Sequence, residues 1–322
     1  MVGNSKKKPV ALYYSAMCYQ EDSLERLSHN FDLITLPNPD HDTIEILRGV
    51  EVLFAPLGYK TNRSKIDNCS RLRVIASNTT GYPHIDVEYA SNNSIKVITL
   101  KEETEFLNSI TPTAELAWGL IIALTRNLLP AIEAVRGGHW NRWNYGGTKM
   151  LSRMKLGIVG MGRLGRKVAS YGKAAGMSVA YYDPFVASEE QATRCPNLTQ
   201  LVAGCDVITI HVPHNKQTEK MFNKEVIASF SVGSFLVNTS RGELIDQEAL
   251  VDALVERRIA GAALDVFEGE FEPDFDIRHY ELWKYSLSNS NLLITPHIGG
   301  STIDAWSMTE GHTITKILEF LR

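Results

Sequence analysis

The chain has 322 residues, of which 44% are hydrophobic, 22% charged and 9% aromatic, with a formal net charge of −4. These values are typical of a globular protein of about two domains, and they provide no basic field that would attract nucleic acid. We also expect no membrane partner, because the longest apolar stretch, "LAWGLIIAL", is about half of the roughly 20 residues that span a bilayer.

The cysteines are few and lack the Cys-x-x-Cys spacing of zinc and redox sites. They are Cys18, Cys69, Cys195 and Cys205. This pattern predicts no metal site and no disulfide framework, and it is typical of the reducing cytoplasm.

The first hundred residues alternate between apolar runs of strand length and segments of helical spacing. The apolar runs are "VALYYSA", "FDLITLP", "EVLFAPL", "RLRVIAS" and "KVITL". The segments between them are "EDSLERLSHN", "HDTIEILRG", "KIDNCS" and "HIDVEYASNN". Such alternation predicts a parallel sheet covered by helices on both faces.

A long helix is predicted next, within "SITPTAELAWGLIIALTRNLLPAIEAVRGGHW". Thr113 is the expected N-cap, Glu115 lies in the first turn, and Pro130 is expected to break the helix. Because the segment is apolar on nearly all sides, we expect it to be buried between domains or between subunits.

The alternation restarts at Leu156 with six more strand-like runs. They are "LGIVG", "SVAYYD", "DVITIHV", "SFLVNTS", "GAALDVF" and "NLLITPH". Six strands separated by helices match the dinucleotide-binding fold. The sequence therefore predicts a smaller α/β domain followed by a nucleotide-binding α/β domain.

A glycine fingerprint supports the second prediction. Gly160, Gly162 and Gly165 form a G-x-G-x-x-G pattern that follows a strand and opens a helix. These glycines permit a tight turn, close approach of a pyrophosphate, and close packing of the helix on the sheet. The alternative is a glycine-rich turn without a ligand, which the acidic Asp183, 18 positions after Gly165, makes the weaker interpretation.

Asp183 also predicts which cofactor binds. A carboxylate at that point accepts hydrogen bonds from the ribose hydroxyls and repels a 2′-phosphate. The next residues, Pro184 and Phe185, provide no arginine for the phosphate, so NAD is favoured over NADP. The alternative is that Asp183 is only a turn residue at the end of a strand.

Polar residues follow three later strands, at the sheet edge where open α/β sheets bind ligands. Arg241 follows "VNTS", Asp265 and Glu270 lie in "GAALDVFEGE", and His297 lies in "LLITPHIGG". A histidine suits proton transfer near neutral pH, a carboxylate orients it, and an arginine binds a substrate carboxylate through two contacts. Each residue alone could be an ordinary loop residue, whereas the set indicates chemistry on a 2-hydroxy acid.

The sequence resembles the D-isomer-specific 2-hydroxyacid dehydrogenase family, which includes D-lactate, D-glycerate, 3-phosphoglycerate, formate and phosphite dehydrogenases. The resemblance covers essentially the whole chain. It rests on "TAELAWGLIIALTRN", "LGIVGMGRLG", "HVP", "VNTSRGELIDQEALVDAL", "GAALDVFEGE" and "TPHIGGST". It implies two doubly wound parallel-sheet domains, a flavodoxin-like catalytic domain at residues 1–108 plus 302–322 and a Rossmann NAD-binding domain at residues 109–301. The active site is expected in the cleft between them.

The resemblance also implies roles for individual residues. Arg241 is implied as substrate-binding and catalytic, His297 as the acid/base that also contacts the substrate, and Glu270 as its partner. The backbone N–H groups of Thr80 and Gly81 are implied to bind the substrate carboxylate. The implied cofactor-binding residues are Gly160, Met161, Gly162, Arg163, Leu164, Gly165, Asp183, His211, Val212, Pro213, Thr239, Ser240, Asp265, Gly299 and Gly300.

Some features depart from the family pattern. The family often has proline after its catalytic glutamate, but Glu270 is followed by Phe271, and Glu-Pro recurs at Glu272 and Pro273, so Glu272 competes for the role. The aromatic-rich segment 271–291 is longer than usual, and it either lines the substrate entrance or is a surface insertion. The glycine loop lacks the lysine that the phosphite-oxidising branch places near it. The phosphoglycerate branch tends to have an arginine at the position of Pro56 and Leu57, and this chain has none there.

We therefore expect a cytoplasmic, NAD-dependent dehydrogenase that acts on a small D-2-hydroxy acid or its 2-oxo acid. Residues from about Thr113 to Gly138 are expected to form a dimer arm, giving a homodimer. The alternatives are a non-catalytic NAD(H)-sensing protein, as in the corepressor branch of the family, and a phosphite or formate dehydrogenase. The residues do not identify the substrate or the physiological direction.

Overall fold

The computed structural model describes residues 7–190 and 192–322, and the chain divides into two compact units. The first unit takes the chain up to Ile110 together with Phe271–Pro273 and Thr302–Arg322. The second comprises Thr111–Glu270 and Asp274–Ser301. Both are built on parallel sheets, so the predicted fold class is confirmed. The domain limits at 108–109 and 301–302 stay predictions.

The first unit contains a five-stranded parallel sheet in the order β2-β1-β3-β4-β5. Its strands are β1 Val10–Tyr14, β2 Asp32–Leu36, β3 Val52–Phe54, β4 Val74–Ala76 and β5 Lys96–Ile98. All five predicted runs form strands, in the order of the flavodoxin-like fold. Alternate residues of each strand enter different core clusters, for example Leu12 and Leu53 in one and Ala11 and Val52 in the other.

The helices of the first unit are mostly short. They are α1 Glu21–Asn30, α2 Ile44–Leu47, α3 Arg63–Asn68, α4 Val87–Asn92, α5 Thr104–Leu107 and, at the end of the chain, α13 Ile303–Leu321. Asn62 and Asp86 cap α3 and α4 by accepting hydrogen bonds from backbone N–H groups in their first turns. Glu310 of α13 accepts a hydrogen bond from the backbone N–H of Gln20, the residue before α1.

The second unit contains a seven-stranded parallel sheet in the order β12-β11-β10-β9-β6-β7-β8. Its strands are β6 Lys155–Val159, β7 Ser178–Tyr182, β8 Thr193–Arg194, β9 Val207–Ile210, β10 Ser234–Asn238, β11 Ile259–Leu264 and β12 Leu292–Ile294. The six predicted runs all form strands, but the count of six was wrong. The seventh strand, β8, was missed because it has only two residues, both polar and exposed, at the sheet edge.

The long helix that we predicted is two helices. The structure has α6 Pro112–Thr125 and α7 Leu128–Arg136, and the break is at Asn127, whose φ of +50° is left-handed. Pro130 lies in the first turn of α7, where its missing N–H costs little, so it does not break the helix as predicted. The helix α6 is preceded by Thr111 rather than by Thr113.

The two helices differ in burial. Ala114, Ala117 and Ile121 of α6 are buried in a core cluster of the second unit, so this helix packs within its own unit. By contrast, no residue of α7 is buried, and Ile132 and Val135 are 44% and 52% exposed. The segment Thr104–Thr125 is long and apolar enough to cross a membrane by length and composition alone. This segment consists of α5 and the core helix α6, and the burial of α6 in its own unit explains why the segment is apolar.

The other helices of the second unit connect its strands. They are α8 Arg163–Ala174, α9 Leu198–Ala203, α10 Lys224–Ala228, α11 Gln247–Val255 and α12 Glu281–Ser286. The helix α12 belongs to the long aromatic-rich segment. Its Leu282 is buried in the core, and Phe275 and Tyr280 pack against the same cluster. These side chains therefore attach residues 274–291 to the core of the second unit.

Candidate active site

The glycine loop after β6 is shaped to admit a bound group at its middle glycine. A Cβ on Gly160, whose φ is +92°, would lie 2.7 Å from Cγ1 of Val212 and 2.9 Å from the carbonyl of His211. A Cβ on Gly165 would lie 2.1 Å from the carbonyl oxygen of Gly160. Nothing lies within 4 Å of the corresponding point on Gly162. The outer glycines are thus required by packing, and the middle one leaves space for a pyrophosphate.

The helix α8 starts directly after Gly162, so its first backbone N–H groups and its dipole favour an anion at this loop. Arg163 is its first residue, and burial lowers the pKa of its guanidinium from the usual 12.5. An arginine remains charged at neutral pH even so. The donor groups at this loop therefore fit the pyrophosphate of a dinucleotide.

Asp183 follows β7 and is only 9% exposed. Its Oδ2 accepts a hydrogen bond from the backbone N–H of Met161 at 2.8 Å, and its Oδ1 accepts from those of Phe185 and Val186 at 2.8 and 3.2 Å. The carboxylate therefore holds the glycine loop against the end of β7. The bonds from Phe185 and Val186 match the alternative of a turn residue, the bond from Met161 is a role that neither interpretation included, and the ribose contact stays a prediction.

Arg194 lies beside Asp183, which the sequence argument also missed. The strand β8 pairs with β7, placing Arg194 opposite Tyr181, and Nη2 of Arg194 lies 3.4 Å from the main-chain oxygen of Asp183. Pro184 and Phe185 provide no arginine, as predicted, but β8 brings Arg194 next to the main chain of Asp183. The signal was weak because β8 is too short to be recognised by its pattern.

Further residues predicted to bind the cofactor follow β9 and β10. Burial lowers the pKa of His211 to about 4, so this ring is neutral at physiological pH, and its Nε2 lies 3.0 Å from Oγ1 of Thr209. Ser240 donates a hydrogen bond to the carbonyl of Val212, which joins the two loops. The buried hydroxyl of Thr239 has no hydrogen-bond partner among the described residues. An orphaned polar atom at this point is consistent with a hydrogen bond to a ligand.

The predicted acid/base and its partner lie in contact. Nδ1 of His297 is 2.9 Å from Oε2 of Glu270, and their side chains are 33% and 11% exposed. The histidine is therefore accessible at one side and bound to a carboxylate at the other. Glu272, the competitor, instead forms an exposed ion pair with Lys60 at 3.6 Å. This geometry favours Glu270 as the partner.

His297 lies in a short loop that Asp265 holds in place. The backbone of His297 is left-handed, with φ of +52°, a conformation that is uncommon for a residue with a side chain. Oδ1 of Asp265 accepts hydrogen bonds from the hydroxyl of Thr295 and from the N–H of Ile298, and Oδ2 accepts from the N–H of Gly299. The carboxylate, only 1% exposed, binds both sides of the histidine. A nicotinamide contact would be additional to these bonds.

Arg241 follows β10 and is attached to the loop that leads to Glu270. A Cβ on the neighbouring Gly242 would lie only 2.0 Å from the main-chain carbon of Phe267, so the two loops touch through their backbones. Oε1 of Glu243 lies 3.4 Å from the N–H of Gly269. Within residues 7–190 and 192–322, no carboxylate lies within 4.0 Å of the Arg241 guanidinium. This group is thus available to an anionic ligand.

The predicted carboxylate-binding loop belongs to the first unit and follows β4. The hydroxyl of Thr79 donates to the carbonyl of Gly81 at 2.7 Å and lies 2.9 Å from the hydroxyl of Ser77. In the described part of the chain, the N–H groups of Thr80 and Gly81 donate no hydrogen bond. Two adjacent free N–H groups on a braced loop are suited to an anion.

Among the described residues there is no group of three or more His, Cys, Asp or Glu side chains that could hold a metal ion. The four cysteines are free thiols, and burial raises the pKa of Cys69 to about 11 and that of Cys205 to about 12.

A family comparison agrees with the site. Residues 118–299 match the model described as D-isomer specific 2-hydroxyacid dehydrogenase, NAD binding domain. The chain belongs to this family. The predicted resemblance is therefore confirmed, and so is NAD as the cofactor that the second unit is built to bind.

Individual proteins show the same relationship. The chain is 33% identical over 87% of its length to D-3-phosphoglycerate dehydrogenase of Methanocaldococcus jannaschii, of which it spans 52%. It is also 33% identical over 87% of its length to hydroxypyruvate reductase of Thermotoga maritima, of which it spans 88%. It thus spans only about half the length of the phosphoglycerate relative. A D-lactate dehydrogenase from Aquifex aeolicus, solved with NAD and lactic acid, superposes with a TM-score of 0.81 at 26% identity, covering 97% of this chain and 95% of that one.

Proposed function

We propose that this protein is an NAD-dependent dehydrogenase that interconverts a small D-2-hydroxy acid and its 2-oxo acid in the cytoplasm. The observation that carries the proposal is the 2.9 Å contact between His297 and Glu270 in the unit whose glycine loop has space for a dinucleotide. The family membership and the names of the relatives support it.

Each predicted site residue would have its own role in the reaction. When bound, the nicotinamide supplies or accepts the hydride. Arg241 would bind the substrate carboxylate and polarise the 2-oxo group, and the N–H groups of Thr80 and Gly81 would bind the carboxylate as well. His297 would donate a proton to the 2-oxo oxygen during reduction and remove it from the hydroxyl during oxidation.

Glu270 would act through the histidine. Its Oε2 lies 2.9 Å from Nδ1, so the carboxylate fixes the orientation of the imidazole that transfers the proton. At only 11% exposed, it interacts through less water than a surface carboxylate would. Its second oxygen, Oε1, is buried and has no hydrogen-bond partner among the described residues, so no other hydrogen bond there competes for this carboxylate.

The primary test is turnover. Purified protein with NADH should reduce members of a panel of 2-oxo acids, and a protein that binds NADH but reduces none of them would instead be a sensor. His297→Ala should lower kcat by about 10²- to 10⁴-fold, the usual contribution of proton transfer, with NADH affinity nearly unchanged.

Steady-state kinetics then distinguish the two glutamates. Glu270→Gln keeps the size of the side chain but removes the charge beside Nδ1 of His297, so kcat for reduction should fall while NADH affinity stays nearly unchanged. Glu272→Gln is the matched control and should leave kcat in place. A fall in kcat with Glu272→Gln and not with Glu270→Gln would contradict the assignment.

We also propose that the protein is a homodimer joined through the segment from about Thr113 to Gly138. The exposed apolar side chains of α7, including Ile132 and Val135, support this, because a contiguous apolar face is unusual on a monomer. Light scattering at micromolar concentration should give about twice 35.9 kDa. A mass of 35.9 kDa at that concentration would reject the dimer.

A further inference from the structure

A lysine remote in sequence lies beside the predicted carboxylate-binding loop of the first unit. Lys101 follows β5, which pairs with β4, the strand that leads into the loop. The N–H of Leu100 donates to the carbonyl of Thr79 at 3.0 Å, so the backbone before Lys101 is attached to the loop itself. The expectation that a lysine is missing here holds for the loop's own residues but not for its surroundings.

The lysine side chain is held by Tyr82, the residue after Gly81. Nζ of Lys101 donates a hydrogen bond to the hydroxyl of Tyr82 at 2.8 Å, and it lies 4.9 Å from the centre of the ring. The hydrogen bond raises the pKa of Lys101, so the amine stays charged. Since the tyrosine oxygen accepts from the lysine, its own proton remains available to an anion.

Among the described residues, Lys101 forms no ion pair with a carboxylate, although the charge of the adjacent Glu102 helps to raise its pKa. Two other lysines of this unit, Lys60 and Lys65, lie 3.6 and 2.8 Å from the carboxylates of Glu272 and Asp42. Lys101 has no carboxylate within 4.0 Å in the part of the chain that the structure describes. It is exposed, and it is oriented by a tyrosine instead of by a counter-ion.

We propose that Lys101 and Tyr82 form a subsite for a second anionic group of the substrate. This rests on the proposed function, in which Thr80, Gly81 and Arg241 take the carboxylate next to the reacting carbon. The favoured substrates are then 2-oxo acids with a second negative group, a carboxylate or a phosphate. Lys101 supplies the charge and an N–H donor, and Tyr82 supplies an O–H donor.

The test compares substrates that differ only in the second charge. The full chain is assayed with NADH on 2-oxobutyrate and oxaloacetate, on 2-oxovalerate and 2-oxoglutarate, and on 3-phosphohydroxypyruvate. Lys101→Met, which keeps length but removes the charge, should lower kcat/KM for the dianionic substrates by about 10- to 100-fold, mainly through KM. Activity on the monoanionic members should stay within about 3-fold.

Two more variants locate the effect. Tyr82→Phe should lower kcat/KM for the same dianionic substrates by a smaller factor. Lys60→Met, at a lysine of the same unit that is paired with a carboxylate, should leave kcat/KM for both classes of substrate unchanged. A loss confined to the phosphorylated substrate supports the subsite and identifies the second group as phosphate, and a loss confined to the dicarboxylates identifies it as carboxylate. An equal loss on monoanionic and dianionic substrates, or no loss on either, overturns the subsite.

The outcome is separate from that of the proposed function. Wild-type reduction of 2-oxobutyrate without reduction of any dianionic substrate refutes the subsite and leaves the dehydrogenase intact. No reduction of any 2-oxo acid refutes both. Phosphite-dependent reduction of NAD that is lost in Lys101→Met would also overturn the proposal, because the lysine would then bind the reacting group itself.

Discussion

Asp265→Asn tests whether His297, the predicted acid/base, is positioned by a buried carboxylate. The change keeps the size of the side chain but replaces one acceptor oxygen by an NH₂ group. The less costly orientation keeps Oδ1, with its bonds from Thr295 and Ile298, and loses the 2.7 Å bond from the N–H of Gly299. A hydrogen bond to a charged, buried acceptor contributes about 1.5–3 kcal/mol, and here the lost acceptor also leaves two donors facing each other.

The free energy of the lost hydrogen bond should appear as disorder in the loop that carries His297, because the left-handed backbone of His297 lies between the groups that Asp265 binds. If the whole cost falls on the active conformation, kcat decreases by about 10- to 150-fold, at about 1.4 kcal/mol for each factor of ten. The assay is steady-state kcat together with NADH affinity and the melting temperature. Thr295→Val is the matched control, which removes one neutral donor and should cost about 0.5–1.5 kcal/mol. Weaker NADH binding with kcat unchanged would refute the positioning role and leave Asp265 as a cofactor ligand alone.

Three further variants test other parts of the structure. Asp183→Ala should raise the ratio of catalytic efficiency with NADP to that with NAD, since the carboxylate that repels a 2′-phosphate is lost while Arg194 remains; an unchanged ratio would reject Asp183 as the selector. Gly242→Ala should lower the unfolding free energy by about 1–3 kcal/mol and lower kcat/KM, because its Cβ would overlap the backbone of Phe267 and Glu268. Gly119→Ala, whose Cβ has nothing within 4 Å, should change neither quantity. Equal losses of stability in the two variants would contradict the contact at Gly242. Burial raises the pKa of Glu310, so its ionisation opposes folding and the stability of the protein falls as pH rises through that pKa. Glu310→Gln should therefore melt at a higher temperature than the parent protein at pH 7, and this difference should disappear at pH 4. A difference in melting temperature that grows at pH 4 would be inconsistent with the raised pKa.

The sequence predicted the strands better than the connections between them. Runs such as "VALYYSA" and "SFLVNTS" became strands because buried parallel strands are continuously apolar, a local property that needs no partner to be seen. The strand β8 carries no such signal, since its Thr193 and Arg194 are polar and exposed. The break at Asn127 was assigned to Pro130 because proline is a local breaker, whereas a left-handed asparagine depends on the packing around it.

The site shows the same division. The types and spacing of Arg241, Glu270 and His297 were readable, because each follows an apolar strand at the edge where parallel sheets bind ligands. The contacts of Asp265 and Lys101 could not be predicted, since their partners lie in loops after other strands, 30 or more residues away for Asp265 and 19 away for Lys101. Such pairings depend on strand order and register, which only the fold supplies.

The predicted catalytic groups of the second unit lie on loops, and these loops contact one another. The loop after β10 touches the loop after β11 through Gly242, and Glu243 reaches the N–H of Gly269 beside Glu270. Asp265, at the start of that second loop, binds the loop that carries His297. Because each loop is held by backbone contacts and buried carboxylates, a change at one affects the others. Substitutions in these three loops should therefore be non-additive, which a site made of independent residues would not be.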